Sequence, residues 1–201
     1  VSQNWVEYLS EASTNWSTSL VLDTNIVAGN GGKSCKPTQG RIEVCNRKYG
    51  NNGWLGIARI WLSGEHITQA VAKMNDTYFT TRTYNTSSWK RMVMCQEIAH
   101  GFGLDHQGEV FNNANFGSCM DYTNNPLGPP SNEYPNAHDF DMLETIYAHI
   151  DGFSTIDQLA VLLRQMSKSD VVDDLADDPK EWGHKVKDNG KIAIFERTLG
   201  N

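Results

Sequence analysis

Short segments with apolar or alternating side chains predict β-strands in several parts of the chain. Residues 41–45 alternate with period two, which is typical of a strand because successive side chains point to opposite faces. Residues 57–62 form a second predicted strand, closed by a Ser-Gly pair. The apolar run at 20–22 indicates a strand followed by loops in the first segment, and residues 191–197 predict a strand near the other end.

Apolar residues at helical spacing predict a helix directly after the second strand. Five residues follow the i, i+3, i+4, i+7, i+11 pattern of one helical face: Ile67, Ala70, Val71, Met74 and Tyr78. Ser63 has the side chain that an N-cap requires. We therefore expect this helix to begin near residue 63.

Three further helices are predicted along the rest of the chain. One starts at residue 87 or 88, carries Trp89, Met92, Val93 and Gln96 along one side, and stops at Gly101 and Gly103. Another covers residues 137–150, with Asn136 as its cap and acidic residues in its first turn. Capping-box spacing predicts a fourth helix over residues 155–166. Residues 107–135 are predicted as a long loop, and such loops usually carry function.

Length and composition predict a folded protein with no nucleic-acid partner. The chain has 201 residues, of which 39% are hydrophobic, enough for one domain or one domain with a small appendage. Its formal net charge of −7 argues against nucleic acid, because phosphate binding needs clustered Lys and Arg. No apolar run approaches the roughly 20 residues that span a bilayer. No signal peptide is visible at Val1, as expected of a mature secreted form.

The four cysteines predict two disulfides. They form no CxxC pair, so a cysteine-rich zinc knuckle is disfavoured, and an even count allows three pairings. We favour Cys35–Cys45, which closes a short loop, together with Cys95–Cys119. The alternative is four reduced, buried cysteines in a cytosolic protein.

A group of residues at the end of the second predicted helix has the spacing of a metal site. Gln96 and His100 are four apart, so they share one helical face and can share one ion. Glu97 lies on the flank of that face, where it can take a proton from metal-bound water without binding the metal. Gly103 permits a sharp reversal that returns His106 as a third ligand. Three protein ligands leave one position open for water, as in catalytic zinc sites.

This stretch resembles the metzincin zinc signature, H-E-x-x-H-x-x-G-x-x-H. Glu97, His100, Gly103 and His106 match the signature, whereas Gln96 stands where the family has His. The resemblance implies one catalytic Zn²⁺ held by residues 96, 100 and 106, with residue 97 as general base.

A second resemblance lies downstream, where residues 118–122 look like the metzincin Met-turn. By that resemblance Met120 is the methionine beneath the metal, and Tyr122 can reach the metal or the reacting oxyanion. Residues 57–62 look like the edge strand along which metzincins align an extended peptide. The similarity covers roughly residues 50–150.

The resemblance implies an α+β fold of the metzincin-like zincin type. We expect a twisted mixed sheet with an active-site helix, a lower loop-rich subdomain and a C-terminal helix. Residues 1–152 would be the catalytic domain and residues 153–201 an extension in which we identify no chemistry. The implied function is that of a secreted, monomeric zinc endopeptidase acting on peptides or proteins.

Gln96 leaves alternatives open, because Gln is a rare zinc ligand. Its amide oxygen binds zinc weakly but sufficiently, or the site binds metal poorly, or the residue is an engineered replacement of His. The competing function is therefore a catalytically impaired, metzincin-like module that binds peptides or proteins. A third alternative is an unrelated helical domain with a chance motif.

Overall fold

The computed structural model describes residues 1–30, 34–149, 184–188 and 193–200. The helices among these residues are α1 (Gln3–Trp16), α2 (Asp76–Phe79), α3 (Ser87–His100) and α4 (Ala137–Ile146), and the strands are β1 (Ile42–Arg47), β2 (Trp54–Ser63), β3 (His66–Asn75), β4 (His184–Asp188) and β5 (Ala193–Gly200). The strands form a five-stranded mixed sheet in the order β1-β3-β2-β5-β4. The expected α+β class is confirmed. No helix in the described ranges is long and apolar enough to cross a membrane.

The sheet is built around β3, which pairs with β1 in parallel and with β2 antiparallel. The strands predicted at residues 41–45 and 57–62 are confirmed as β1 and β2. The edge position expected for residues 57–62 is wrong for this structure, because β5 pairs antiparallel with β2 from Trp54 to Leu62. The predicted strand at 191–197 is confirmed as β5, which belongs to the same sheet.

The helix predicted from residue 67 to residue 78 is wrong. Residues 66–75 form β3, and only the four-residue α2 follows it. The reason is a tight connection: Gly64 adopts a φ of 62°, which reverses the chain so that β3 pairs back onto β2. Ser63 therefore ends β2 and caps no helix. Ala70, Ala72 and Met74 are buried at alternate positions, so the apolar spacing also fits a strand.

The strand expected at residues 20–22 is wrong, because these residues form neither strand nor helix, and a helix not predicted from the sequence, α1, precedes them. In α1, Trp5, Tyr8, Ala12 and Trp16 are buried at the i, i+3, i+7, i+11 spacing of one face. This face packs against α3, and the Trp16 indole N–H donates to the Cys95 carbonyl at 3.2 Å. This amphipathic spacing can be read in the sequence as a signal for α1.

The α3 helix lies in the centre of the core. It begins and ends where the sequence predicted. Thr86 caps its N-terminus by accepting from the Trp89 N–H, and Gly101 is its C-cap. Every residue from 92 to 100 is buried. Both predicted disulfides are confirmed, and one of them, Cys95–Cys119, ties α3 to the long loop.

The loop predicted at 107–135 is confirmed, since these residues contain no helix and no strand of the sheet. The predicted third helix is confirmed as α4, with Asn136 and Asp139 in a reciprocal capping box, but it ends at Ile146 rather than at residue 150. The fourth helix expected at 155–166 and the boundary at residue 152 lie outside the described residues.

Candidate metal centre

The reversal after α3 brings His106 back against His100, as the sequence analysis expected. Gly103 has a φ of 98°, a conformation that glycine adopts readily and other residues rarely. The two imidazoles meet edge to face, with ring centroids 4.6 Å apart and an interplanar angle of 88°. Their Nε2 atoms lie 3.0 Å apart. The last turn of α3 and the segment that follows thus converge on one point.

Oxygen acceptors hold the other nitrogen of each imidazole. The His100 Nδ1 lies 2.8 Å from the Leu104 carbonyl oxygen, and the His106 Nδ1 lies 3.1 Å from the Glu109 carboxylate. Since a carbonyl or carboxylate oxygen only accepts, each Nδ1–H donates, and in this tautomer the Nε2 of each neutral imidazole can act as a metal ligand. Two such nitrogens 3.0 Å apart can share either a proton or one metal ion.

A proton shared between the two rings is disfavoured by burial. The His106 side chain is only 4% exposed. Burial lowers the pKa of His106, and the hydrogen bond to Glu109 opposes this only in part. The His100 side chain is buried as well. Neutral imidazoles with converging lone pairs are the arrangement of a metal site, in which oxygen acceptors commonly orient the ligating histidines.

Gln96 and Glu97 supply buried polar atoms in the same part of α3. Both residues are fully buried, and within the part of the chain that the structure describes neither the Gln96 amide atoms nor the Glu97 carboxylate oxygens have a hydrogen-bond partner. A buried polar group without a partner costs about 1–3 kcal/mol, so such groups need a reason. Gln96 is on the face of His100, one turn earlier. Its amide oxygen is therefore a third candidate ligand, as predicted from the spacing.

Glu97 packs against the sheet through Gly56 of β2. A Cβ built at Gly56 would lie 2.4 Å from the Glu97 Oε1, so only glycine leaves room for this carboxylate. Burial raises the pKa of Glu97 well above its ordinary value. The ionised carboxylate is therefore costly in the metal-free protein, and a neighbouring cation would favour it.

The predicted Met-turn lies directly beneath the segment that carries His106. Met120 is 1% exposed, and its carbonyl accepts from the Gln107 N–H at 2.7 Å. The Ser118 hydroxyl accepts from the Met120 N–H at 2.8 Å and donates to Asp139 at 2.6 Å. The turn is thereby anchored to α4 and, through the neighbouring disulfide, to α3.

Tyr122 lies beside the histidine pair. Its ring centroid is 4.5 Å from that of His106, and the ring of Phe111 stacks on it at 4.7 Å. The Tyr122 N–H donates to the Gly108 carbonyl at 2.8 Å, which fixes the backbone at this point. The structure therefore places in one neighbourhood the predicted residues His100, His106 and Tyr122.

A second group of possible metal ligands, two of them exposed, also includes His106. Asp105, His106 and Glu109 offer three ligand atoms within 4.8 Å of one another. The side chains of the two acids are 46% and 70% exposed, and they approach His106 from its Nδ1 side. The two arrangements use different nitrogens of His106, so substitutions can separate them.

The sequence analysis missed three groups at this site. Glu109 and the Leu104 carbonyl orient the imidazoles, and Gly56 accommodates Glu97. The acid three residues after His106 was a readable signal, since acceptors commonly accompany metal-binding histidines. Gly56 had no such signal, because its contact joins residues 41 positions apart in sequence.

Comparison of the chain with models of known protein families, with curated proteins and with solved structures finds no match. The resemblance to the metzincin motifs thus stays a prediction. The evidence for a function is the geometry around His100 and His106.

Proposed function

We propose that this chain is a secreted, zinc-dependent endopeptidase of the metzincin type. The observation that carries the proposal is the histidine pair. The Nε2 atoms of His100 and His106 face each other across 3.0 Å, and an oxygen acceptor lies at the Nδ1 of each ring. The predicted base, Glu97, is in the last turn of the same helix, next to the third candidate ligand.

The donor atoms fit zinc. Zinc lies about 2.0–2.1 Å from imidazole nitrogen in tetrahedral sites, which places two such nitrogens roughly 3.3 Å apart. The 3.0 Å between the Nε2 atoms of His100 and His106 is close to this separation. Gln96 would complete the set with an amide oxygen that has no hydrogen-bond partner among the described residues. When bound, zinc supplies a Lewis acid and lowers the pKa of bound water toward about 7.

The chain's own residues would perform the proton transfers. Glu97 would accept the proton of the attacking water and pass it to the leaving amine, which is the role of a general base and acid. Burial raises the pKa of Glu97 in the metal-free protein, and a bound cation would favour the ionised form that accepts the proton. Gly56 leaves room for its carboxylate against β2. Tyr122, beside His106, would donate a hydrogen bond to the oxyanion of the tetrahedral intermediate.

The location and substrate belong to the same proposal. Two disulfides favour an oxidising compartment, and therefore secretion. The substrate would be a peptide or protein segment, the class of substrate that the metzincin motifs imply.

A second candidate function is a metzincin-like scaffold that binds peptides without cleaving them. Two observations favour it: Gln96 replaces a stronger ligand, and both Gln96 and Glu97 are fully buried, so solvent does not reach them in this conformation. Metal content and cleavage, measured on one preparation, separate the two functions.

The experiment measures zinc content by mass spectrometry and chelator-sensitive cleavage of denatured casein. The parent should bind one zinc ion and cleave. His100→Ala and His106→Ala should lose both properties. Glu97→Ala should keep zinc and lose cleavage, whereas the exposed Glu65→Ala serves as control and should change neither. Zinc without cleavage in the parent supports the scaffold, and undiminished zinc in His100→Ala rejects the site.

A further inference from the structure

Strand β5 covers the edge of β2 that an extended peptide would need. The two strands pair antiparallel over nearly the whole of β2, from Leu62 opposite Ala193 to Trp54 opposite Gly200. The other edge of β2 is taken by β3. A strand has only two edges, so no third segment can add to β2 while β5 is paired with it.

The covered edge belongs to the strand that touches the proposed base. Gly56 contacts the Glu97 carboxylate and pairs with Leu199 of β5. The backbone of β5 therefore runs past the point of β2 that is nearest to the proposed chemistry. An extended peptide bound for cleavage would lie along this same line.

Two side-chain contacts hold β5 in place. Phe195 is 2% exposed and packs with Ile60, Leu62 and Ala70 in a small core cluster of its own. Glu196 forms an ion pair with Arg59, its direct partner across the strands, on the opposite face of the sheet. The β2 edge thus accepts an aromatic residue followed by an acidic one.

We propose that β5 is an intramolecular peptide ligand of the β2 edge, and that it must leave before a substrate can bind. The free edge then binds an extended peptide in which an aromatic residue is next to an acidic one. The aromatic side chain packs against Ile60, Leu62 and Ala70, and the acid pairs with Arg59. The regulatory part of this inference rests on the proposed peptidase function. The binding part does not, because strand exchange requires neither zinc nor Glu97.

The test uses the full chain and a charge swap across the two strands. Glu196→Arg places two cations opposite each other and weakens the pairing of β5, whereas Arg59→Glu combined with Glu196→Arg restores an ion pair of reversed polarity. The probe is a fluorescent peptide with the sequence of residues 193–200, followed by anisotropy, together with a control peptide carrying Lys in place of its Glu. Casein cleavage is measured on the same samples.

Release of β5 should strengthen binding of the probe. Glu196→Arg should bind the peptide about fivefold more tightly than the parent, the size expected of an exposed ion pair, and cleave casein faster by a similar factor. The double variant should bind the probe no more tightly than the parent, because its restored ion pair holds β5 and its acid at position 59 repels the Glu of the probe. The Lys peptide should bind Glu196→Arg less tightly than the probe does, because Arg59 repels its Lys. Phe195→Ala is a second releasing variant that leaves the charges unchanged.

The outcomes separate this inference from the proposed function. Equal peptide affinity in the parent, Glu196→Arg and Phe195→Ala overturns the inference, whether or not casein is cleaved. Tighter peptide binding in both releasing variants supports the strand exchange even if no variant cleaves casein, in which case the peptidase function fails alone. A double variant that behaves like Glu196→Arg also overturns the inference, because recognition would not depend on Arg59.

Discussion

Glu97 of α3 lies directly against Gly56 of β2, and a Cβ at position 56 would be 2.4 Å from the carboxylate oxygen Oε1. The contact joins the helix that carries the proposed ligands to the strand proposed to bind peptides. It makes the position of the carboxylate depend on a residue with no functional group. Four predictions follow from this contact and from the geometry around it, and the first concerns Gly56 itself.

Gly56→Ala should displace the Glu97 carboxylate and impair cleavage while zinc remains bound. Overpacking of this kind costs typically 1–3 kcal/mol of stability, and a displacement of about 1 Å of a catalytic group can cost roughly a hundredfold in rate. Ser63→Ala, at the exposed end of the same strand, is the matched control. Unfolding by urea and casein cleavage are the measurements.

A double variant tests whether the losses in Gly56→Ala come from steric conflict with Glu97. Glu97→Asp shortens the side chain and should recover part of the stability lost in Gly56→Ala, so the two effects should not add. Additive losses would show that the two residues do not compete for the same space.

The raised pKa of Glu97 predicts how the stability of the zinc-free protein depends on pH. In the unfolded chain Glu97 ionises near its ordinary pKa, whereas burial keeps it protonated to higher pH in the folded chain. The folded state therefore binds more protons above this ordinary value, and the stability falls as the pH rises towards the folded pKa. Glu97→Gln does not titrate and should lose this slope.

The measurement is the free energy of unfolding with chelator present, for the parent and Glu97→Gln, between about pH 5 and about pH 7. The difference between the two proteins isolates Glu97 from the other titrating groups. Glu97→Gln should be the more stable protein, by a margin that grows with pH. A constant difference across this range would mean that Glu97 is ionised in the folded state throughout.

Glu109 should control zinc affinity through His106. Because its carboxylate accepts from the His106 Nδ1–H, Glu109→Ala should weaken zinc binding about 10- to 100-fold. Glu109→Gln keeps an acceptor and should lose less. Asp105→Ala should weaken zinc binding less, since its carboxylate lies 3.9 Å from the same nitrogen, beyond hydrogen-bond distance, and accepts from the His106 backbone N–H instead.

The same variants decide between the two metal arrangements. If the exposed cluster of Asp105, His106 and Glu109 were the site, Asp105→Ala would weaken binding as much as Glu109→Ala, and His100→Ala would leave it unchanged. Isothermal titration with zinc gives the affinities.

Substitutions of Gln96 should separate stability from metal binding. Gln96→Leu removes two buried, unpartnered polar atoms and should stabilise the zinc-free protein by about 1–3 kcal/mol while weakening zinc binding. Gln96→His should instead strengthen zinc binding and preserve cleavage, because imidazole is the better zinc ligand. Met94→Leu, in the same buried helix, is the control.

The measurements are thermal unfolding with and without zinc, and zinc affinity. A Gln96→Leu variant that is stabilised by zinc as strongly as the parent would show that residue 96 is no ligand. The site would then depend on the two histidines alone.

The sequence predicted the elements whose signals are local. Helical spacing and a glycine stop placed α3, and a capping residue placed the start of α4. Period-two alternation placed β1, and an apolar run that ends at a Ser-Gly pair placed β2. Helical spacing with a glycine after it was enough to bring His100 and His106 together, because six residues and one reversal determine their separation. A short loop identified the Cys35–Cys45 pair, and the two remaining cysteines then gave Cys95–Cys119.

Where the sequence failed, contacts between distant segments decided the outcome. Residues 66–75 have an apolar spacing that fits both a helix and a strand, and pairing with β1 and β2 selected the strand. The position of β2 within the sheet depends on β5, which follows it by more than 100 residues. The room for Glu97 depends on Gly56, and neither residue carries a local sign of the other. The sequence alone therefore determined which side chains can converge after a helix turn, whereas the tertiary structure decided what covers and supports them, because strand pairing and close packing depend on surfaces that meet only in the folded chain.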